Sequence, residues 1–351
     1  MKPMKRLTDK KKALRMTLQS LPIALAAIVF IIYGATFMPS SIRKMERSVA
    51  LIESISHYEL QADGKPIAYF RTLSDSLSPE DWSLSADSTV ITKTYSNACW
   101  VNRWPLIPSC PGLLLTANSD STAAKRLVSA NRMLPQTLEK TVNLMKERLA
   151  QLDRMGEETD YYMRTHNVND DGYNVMAEYS ASLEARKKKV GKLLYTLENA
   201  SVKKRLAIRL VTRHALVWTD TAGTARRTAC NAITPDNTKP VRLLQTADRQ
   251  KPDGAKAIYP HQWLAPHPDT GDSLVIASYP GCRLNGFSPN GAKAQTFGGA
   301  CKGKREHDVP PLLAPDGSPV FTARGLFIGI SIGGKTVPAT HMGFGLKNLL
   351  P

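Results

Sequence analysis

The 351-residue chain has no Cys-x-x-Cys pair among its five cysteines, no arginine-rich tract and no basic run interleaved with aromatics. The first absence removes the ligand spacing of a structural zinc site. The other two remove the footprint of a nucleic-acid-binding surface, even though the net charge is +17. Placing that charge explains it. Residues 1–47 hold ten basic and two acidic side chains, while the rest of the chain holds 37 and 28. The bulk is only mildly basic, which leaves a general affinity for anionic surfaces.

Charge is also missing from residues 21–38, LPIALAAIVFIIYGATFM. About 20 apolar residues span a bilayer as a helix, because in lipid every backbone group must be paired within the segment. Seven basic residues precede the run, from Lys2 to Arg15, and hold the N-terminus in the cytoplasm. Arg43, Lys44 and Arg47 weaken that bias without reversing it. The reading is a basic cytoplasmic tail over 1–20, a single transmembrane anchor over 21–40, and everything beyond about 45 on the far, oxidising side. That is a bacterial inner-membrane protein with a periplasmic domain. A cleaved secretory signal is the alternative, but ATFMPSS makes a poor small-x-small cleavage site. On the oxidising side disulfides are permitted. Cys99 with Cys110 and Cys282 with Cys301 are the near-sequence pairs, with Cys230 left over. Connectivity stays open, as do free buried thiols.

The exported part changes texture twice. Residues 45–121 mix short apolar runs with Pro and Ser clusters and carry Trp82, Trp100 and Trp104. Over 122–206 glycine becomes scarce and the period turns helical. Leu138, Val142, Met145, Leu149 and Leu152 form one stripe; Met176, Tyr179, Leu183, Val190, Leu193 and Leu197 form another, with Arg186 on the seam. THNVNDDGY between them is turn-forming. The pattern predicts an antiparallel helical hairpin in a coiled-coil-like frame. Its stripes face each other, or also a partner or second copy if wider. Residues 207–351 return to short alternating runs such as PVRLLQT, SLVIASYPG and GLFIGISIGG, which suggest a barrel or sandwich.

The order of those runs carries a resemblance. LLAPDGSPVFTARGLFIGISIGG at 312–334 resembles the nucleophile segment of trypsin-like serine proteases, where Gly-Asp-Ser-Gly-Gly/Ser-Pro leads into Val-Phe, a hairpin, and a strand ending Gly-Ile-x-Ser-x-Gly. GDSLVIASYPG at 271–281, PVRLLQT at 240–246 and GLLLTANSD at 112–120 resemble three earlier strands of that family, in the right order. The resemblance implies a trypsin-like double β-barrel with the hairpin inserted directly after the segment ending near Ser119. It also implies that the chemistry is gone. An acyl-transfer triad needs a hydroxyl, an imidazole and a carboxylate. The matched positions hold Asp316, Ser119 and Pro240, and Ala314 and Pro315 replace the Gly-Asp that shapes the oxyanion hole. The expected fold class is therefore mainly β with an inserted α-hairpin, and the expected function is a protease-like binding or scaffolding module without triad.

Three other readings stay on the page. LVTRHALVW could supply His214 as base for Ser318, giving an active, atypical envelope serine protease. Gly329, Ser331 and Gly333 spell the GxSxG of a nucleophile elbow, followed by only eighteen residues and by His341 alone. Counting from Asn167, NVNDDGYNVMAE places Asn169, Asp171 and Glu178 at third, fifth and twelfth positions of an EF-hand-like calcium loop. It departs from that pattern at Asn167 and Asn174. The alternative to calcium there is an ordinary hairpin turn, and no other cofactor is expected.

Overall fold

The computed structural model describes residues 22, 25–29, 40–102, 112–118, 120–201, 205–220, 223–233, 240–260 and 267–338. A short helix α1 (Ile42–Arg47) begins at Ser41, whose hydroxyl accepts the Lys44 N–H at 3.3 Å, an N-cap that satisfies one orphan donor. Strands β1 (Val49–Ala62), β2 (Lys65–Phe70), β3 (Thr72–Leu73), β4 (Pro79–Glu80), β5 (Thr92–Trp100) and β6 (Leu113–Ala117) follow. Helices α2 (Asp120–Thr165) and α3 (Tyr173–Ser201) come next. The chain then returns to β7 (Leu206–Thr219), β8 (Ala225–Ala232) and β9 (Val241–Thr246). It ends with β10 (Ser273–Ser278), β11 (Gln295–Gly303), β12 (Glu306–His307), β13 (Pro319–Thr322), β14 (Phe327–Ile332) and β15 (Lys335–Pro338).

Two six-stranded barrels result. The first runs β1-β5-β6-β9-β8-β7, closed by a β1–β7 pairing, with β2 added beside β1. The second closes as β10-β11-β12-β15-β14-β13. Closure removes exposed sheet edges. The fold is thus mainly β, with two closed barrels and a helical insertion, as the ordered segments predict.

The chain divides into two compact units. One comprises the chain to Glu53, Tyr95–Asn118 and everything from His214. Its largest apolar cluster joins Cys99, Val101, Leu113, Leu115 and Val241 to Ala277, Phe321, Phe327 and Ile330, so strands of both barrels share one core. Gly329 sits where a Cβ would collide with the Val337 carbonyl on the neighbouring strand, which only glycine permits.

The other unit comprises Ser54–Thr94 and Ser119–Arg213. Leu60, Phe70 and Leu73 pack with Ala130, Leu134 and Leu138 of α2, and with Leu193, Leu194 and Leu197 of α3. The division by texture at 121/122 therefore differs from the observed one. Helix α2 begins at Asp120, and residues 54–94 share a core with the helices, because Phe70 and its neighbours find their apolar partners there. Most of the predicted stripe positions are inward, with Leu138, Val142, Leu152, Leu183, Leu193 and Leu197 buried, whereas Tyr179 is exposed. Lys187 Nζ reaches Asp153 at 2.7 Å and Lys146 reaches Glu198 at 2.8 Å across the two helices. Pro135 lies inside α2 and withholds one intrahelical amide.

No helix among the described residues is long and apolar enough to cross a membrane. Most of the expected span, 21–40, falls outside the described residues; positions 22 and 25–29 are helical. Cys99, Cys230, Cys282 and Cys301 are buried free thiols. Cys282 packs with Leu51 and Val217, whereas Cys301 packs with Leu274 and Ile276. Of the two readings left open, pairing of Cys282 with Cys301 gives way to free thiols, because each sulfur fills a different apolar cluster. Cys110 lies outside the described residues. Burial pushes the Cys230 thiol up to about 11 and Cys282 to about 12, which keeps both protonated and inert at neutral pH.

Candidate functional site

Asn97, on β5 and fully buried, organises the region where the nucleophile segment should act. All its polar groups are engaged. Its N–H donates to Asp316 O at 3.1 Å, and its carbonyl accepts from Thr116 Oγ1 at 2.6 Å. Its Oδ1 accepts the Tyr279 N–H at 3.1 Å, and its Nδ2 donates to Ser318 Oγ at 2.8 Å. One residue of the first barrel, through backbone and side chain together, thus ties β6, the end of β10 and the 315–318 turn together. Gly317, at φ +89°, lies so close that a Cβ would collide with the Asn97 carbonyl oxygen and stand 3.0 Å from Thr116 Oγ1.

Of the three matched positions, Pro240 and Asp316 are described. Ser119 lies outside the described residues. Its neighbour Asn118 donates its N–H to Pro240 O at 2.8 Å, and Gly317, next to Asp316, faces Thr116 at the end of β6. Among the described residues there, the side chains of Asp316 and Ser318 are engaged with the protein's own groups. Asp316 Oδ2 binds the Arg283 guanidinium at 2.7 Å and Oδ1 accepts the Gly333 N–H at 2.8 Å, so its carboxylate fastens two loops. Ser318 is fully buried; its hydroxyl donates to Pro315 O at 2.5 Å while accepting from Asn97. The Ala314 N–H donates to Pro310 O at 2.9 Å, and the Gly317 N–H to Ser331 O at 2.8 Å. An oxyanion hole needs amides aimed at an empty point, and these two amides are bonded within the protein.

His214 is not brought to Ser318. It sits on β7 opposite Cys230, and the Arg242 guanidinium donates to its Nε2 at 2.8 Å. A nitrogen accepting from a cation is poorly suited to take a proton. The GxSxG reading is corrected by geometry: Ser331 lies within β14, fully buried, rather than on a strand-to-helix elbow. Its hydroxyl meets His307 Nε2 at 2.8 Å, a Ser–His pair sealed inside the second barrel. Desolvation pulls His307 below its ordinary value of 6.5, and both side chains are buried. His341 is outside the described residues.

Solved structures similar to this chain include Deg5, at 9% identity and TM-score 0.34 over 88% of this chain and 91% of that one. Human heparin binding protein matches at 10% and 0.32 over 89% and 96%. The MamO protease domain from Magnetospirillum magneticum matches at 15% and 0.27, over 40% of this chain and 76% of that one. No family model and no curated protein matches. At these scores the fold reading rests on the two barrels and their strand order.

The hairpin turn serves itself. The Asn167 N–H donates to Asp170 Oδ2 at 2.8 Å, and the Asp170 N–H returns to Asn167 O at 2.9 Å. Glu178 lies a turn and a half into α3. Among the described residues no group of three or more His, Cys, Asp or Glu side chains could hold a metal ion, and Asn167, Asn169 and Asp171 add one carboxylate to Glu178. Sequence reasoning missed Asn97, Arg283 and His307. Asn97 and Ser318 are 221 residues apart, and no local pattern could pair them.

Proposed function

We propose that the chain is a membrane-anchored protein of the bacterial cell envelope whose periplasmic part is a binding or scaffolding module built on protease-like barrels without acyl-transfer chemistry. The observation that carries this reading is the 314–318 turn. Its carboxylate is spent on Arg283 and Gly333, its hydroxyl on Asn97 and Pro315, and its Ala314 amide on Pro310. The basic N-terminus and uncharged run at 21–38 support the anchor, and the hairpin supports a protein contact or self-association.

The test is a fluorophosphonate serine probe on the purified protein, with no labelling expected. Loss of a triad leaves only about 10³–10⁴-fold catalysis over water, below ordinary assays. Labelling abolished by Ser318→Ala or His214→Ala would establish the active atypical protease instead. In cells, cross-linking from the hairpin separates the remaining roles: a heterologous adduct supports the scaffold, and self-adducts alone support an oligomeric spacer. A reporter fused after Pro351 is active only outside the cytoplasm if the topology holds.

A further inference from the structure

Beside the sealed turn, the same unit carries an open cleft that none of the readings above uses. The β10–β11 ladder ends at Ser278 and Gln295, and beyond it Tyr279 and Ala294 separate as the chain loops round from 280 to 293. The opening has two lobes. One, of about 440 Å³, is walled by Val49, Trp100, Leu216 and Trp218 and rimmed by Glu46, Arg47 and Asp253. The other, of about 370 Å³, is lined by Phe287, Asn290 and Gln295. Tyr279, Ala292 and Lys293 line both. Each volume lies in the range of ligand sites, which are mostly apolar with a few polar groups to fix orientation.

Four charged side chains there, Glu46, Arg47, Asp253 and Lys293, make no ion pair or side-chain hydrogen bond among the described residues, and neither does the Tyr279 hydroxyl. Elsewhere in the unit Arg283, Arg227 and Lys335 are paired with carboxylates. The rim mixes both signs, which disfavours a polyanion. Lys293 stands on the ridge common to both lobes, where a single carboxylate is within its reach whichever lobe is filled. Asn290 Oδ1 accepts the Ala225 N–H at 3.4 Å and Ser288 Oγ the Asn290 N–H at 3.4 Å; the Asn290 Nδ2, the Ser288 O–H and the Gln295 amide in the smaller lobe suit the donors and acceptors of a peptide backbone.

We propose that this cleft binds an extended peptide segment, with an aromatic or large aliphatic side chain in the lobe walled by Trp100 and Trp218 and an adjacent carboxylate at Lys293. This deepens the binding-module reading and rests on it. Backbone amides supply hydrogen bonds and the side-chain lobe supplies selectivity, as in other peptide grooves. The Tyr279 phenol, raised by burial, stays protonated and donates.

The test uses the full-length chain in detergent micelles and a fluorescein-labelled, end-blocked hexapeptide Gly-Ser-Phe-Asp-Ser-Gly, with Lys in place of Asp as comparison. Anisotropy should show saturable binding of the Asp peptide. Lys293→Glu should weaken it at least tenfold and reverse the preference toward the Lys peptide; Trp218→Ala should weaken both. Lys293 is exposed, so an unchanged unfolding midpoint keeps the first variant interpretable. No saturable binding, binding indifferent to Lys293→Glu, or binding only of a soluble glycan oligomer would overturn the proposal. Serine-probe labelling, by contrast, would overturn the module reading and leave the peptide result standing.

Discussion

Four turns in this molecule carry an Asp-Gly dipeptide, and two of them have opposite fates. Asp171-Gly172, between α2 and α3, is solvent-exposed, and a Cβ on Gly172 would meet only Tyr162 Oη at 3.8 Å. Asp316-Gly317, between the barrels, is held by Asn97, Arg283, Ser331 and Gly333. Dipeptide chemistry makes a turn in both places. Only long-range partners turn the second into a structural keystone.

The sharpest way to break that contrast is Asn97→Leu. It strands the Tyr279 N–H and removes the donor to Ser318 in a buried site, at roughly 1–3 kcal/mol for each orphaned group, so urea unfolding should report a loss of about 3–5 kcal/mol. Gly317→Ala should follow at about 3 kcal/mol, since it adds a backbone collision to an unfavourable φ. Gly172→Ala, with φ +90° and open space, should cost only about 1 kcal/mol. Equal losses for the two glycines would show that the Asn97 contact does not constrain the turn. Asp316→Ala should cost about 1–3 kcal/mol by freeing Arg283 and the Gly333 amide, whereas Asp171→Ala should stay within about 0.5 kcal/mol.

Acid should weaken the barrel side through His307. Its folded form favours the neutral ring, because burial lowers its proton affinity. Below about 6.5 the unfolded chain therefore binds more protons than the folded one. Stability falls with pH from there until the folded ring also protonates. The urea midpoint should drop between pH 7.5 and 5.5, and the drop should shrink in His307→Gln. An unchanged drop would place the titration elsewhere. The smallest effect belongs to Lys187→Ala on the hairpin. Its bond to Asp153 is solvent-exposed on both sides, and such pairs rarely register, so the melting temperature should not move.

Much of the barrel pair was legible because its strands announce themselves locally. LLLTA, VRLLQT, SLVIAS, PVFT and FIGISI became β6, β9, β10, β13 and β14, each an apolar run bounded by turn residues. The helices were equally plain, since Leu138, Val142 and Leu152 mark a face by spacing alone. The allegiance of residues 54–94 was not legible. HYELQADGKPIAYF reads as a β-hairpin whichever core it serves, and only its partners on α2 and α3 decide. Of the site, the sequence shows which residues stand at the matched positions, Asp316 and Pro240 among them. What those positions contact is not local. Asn97 lies in a polar run, TKTYSNAC, and His307 among charged neighbours, and neither shows in sequence that it is buried against a serine far along the chain.

Pro135 gives the insertion a mechanical character. Helix α2 has 46 residues, about 69 Å at 1.5 Å per residue. From Ala130 to Val142 it is clamped in a core with Leu60, Phe70 and Leu73, and Pro135 lies inside that clamped stretch. Two helices laced along one seam resist bending far better than one. The proline deletes a rung of the hydrogen-bond ladder where the surrounding core already holds the helix. A load applied at the 166–172 tip therefore meets a root whose stiffness comes from side-chain packing rather than from an unbroken ladder.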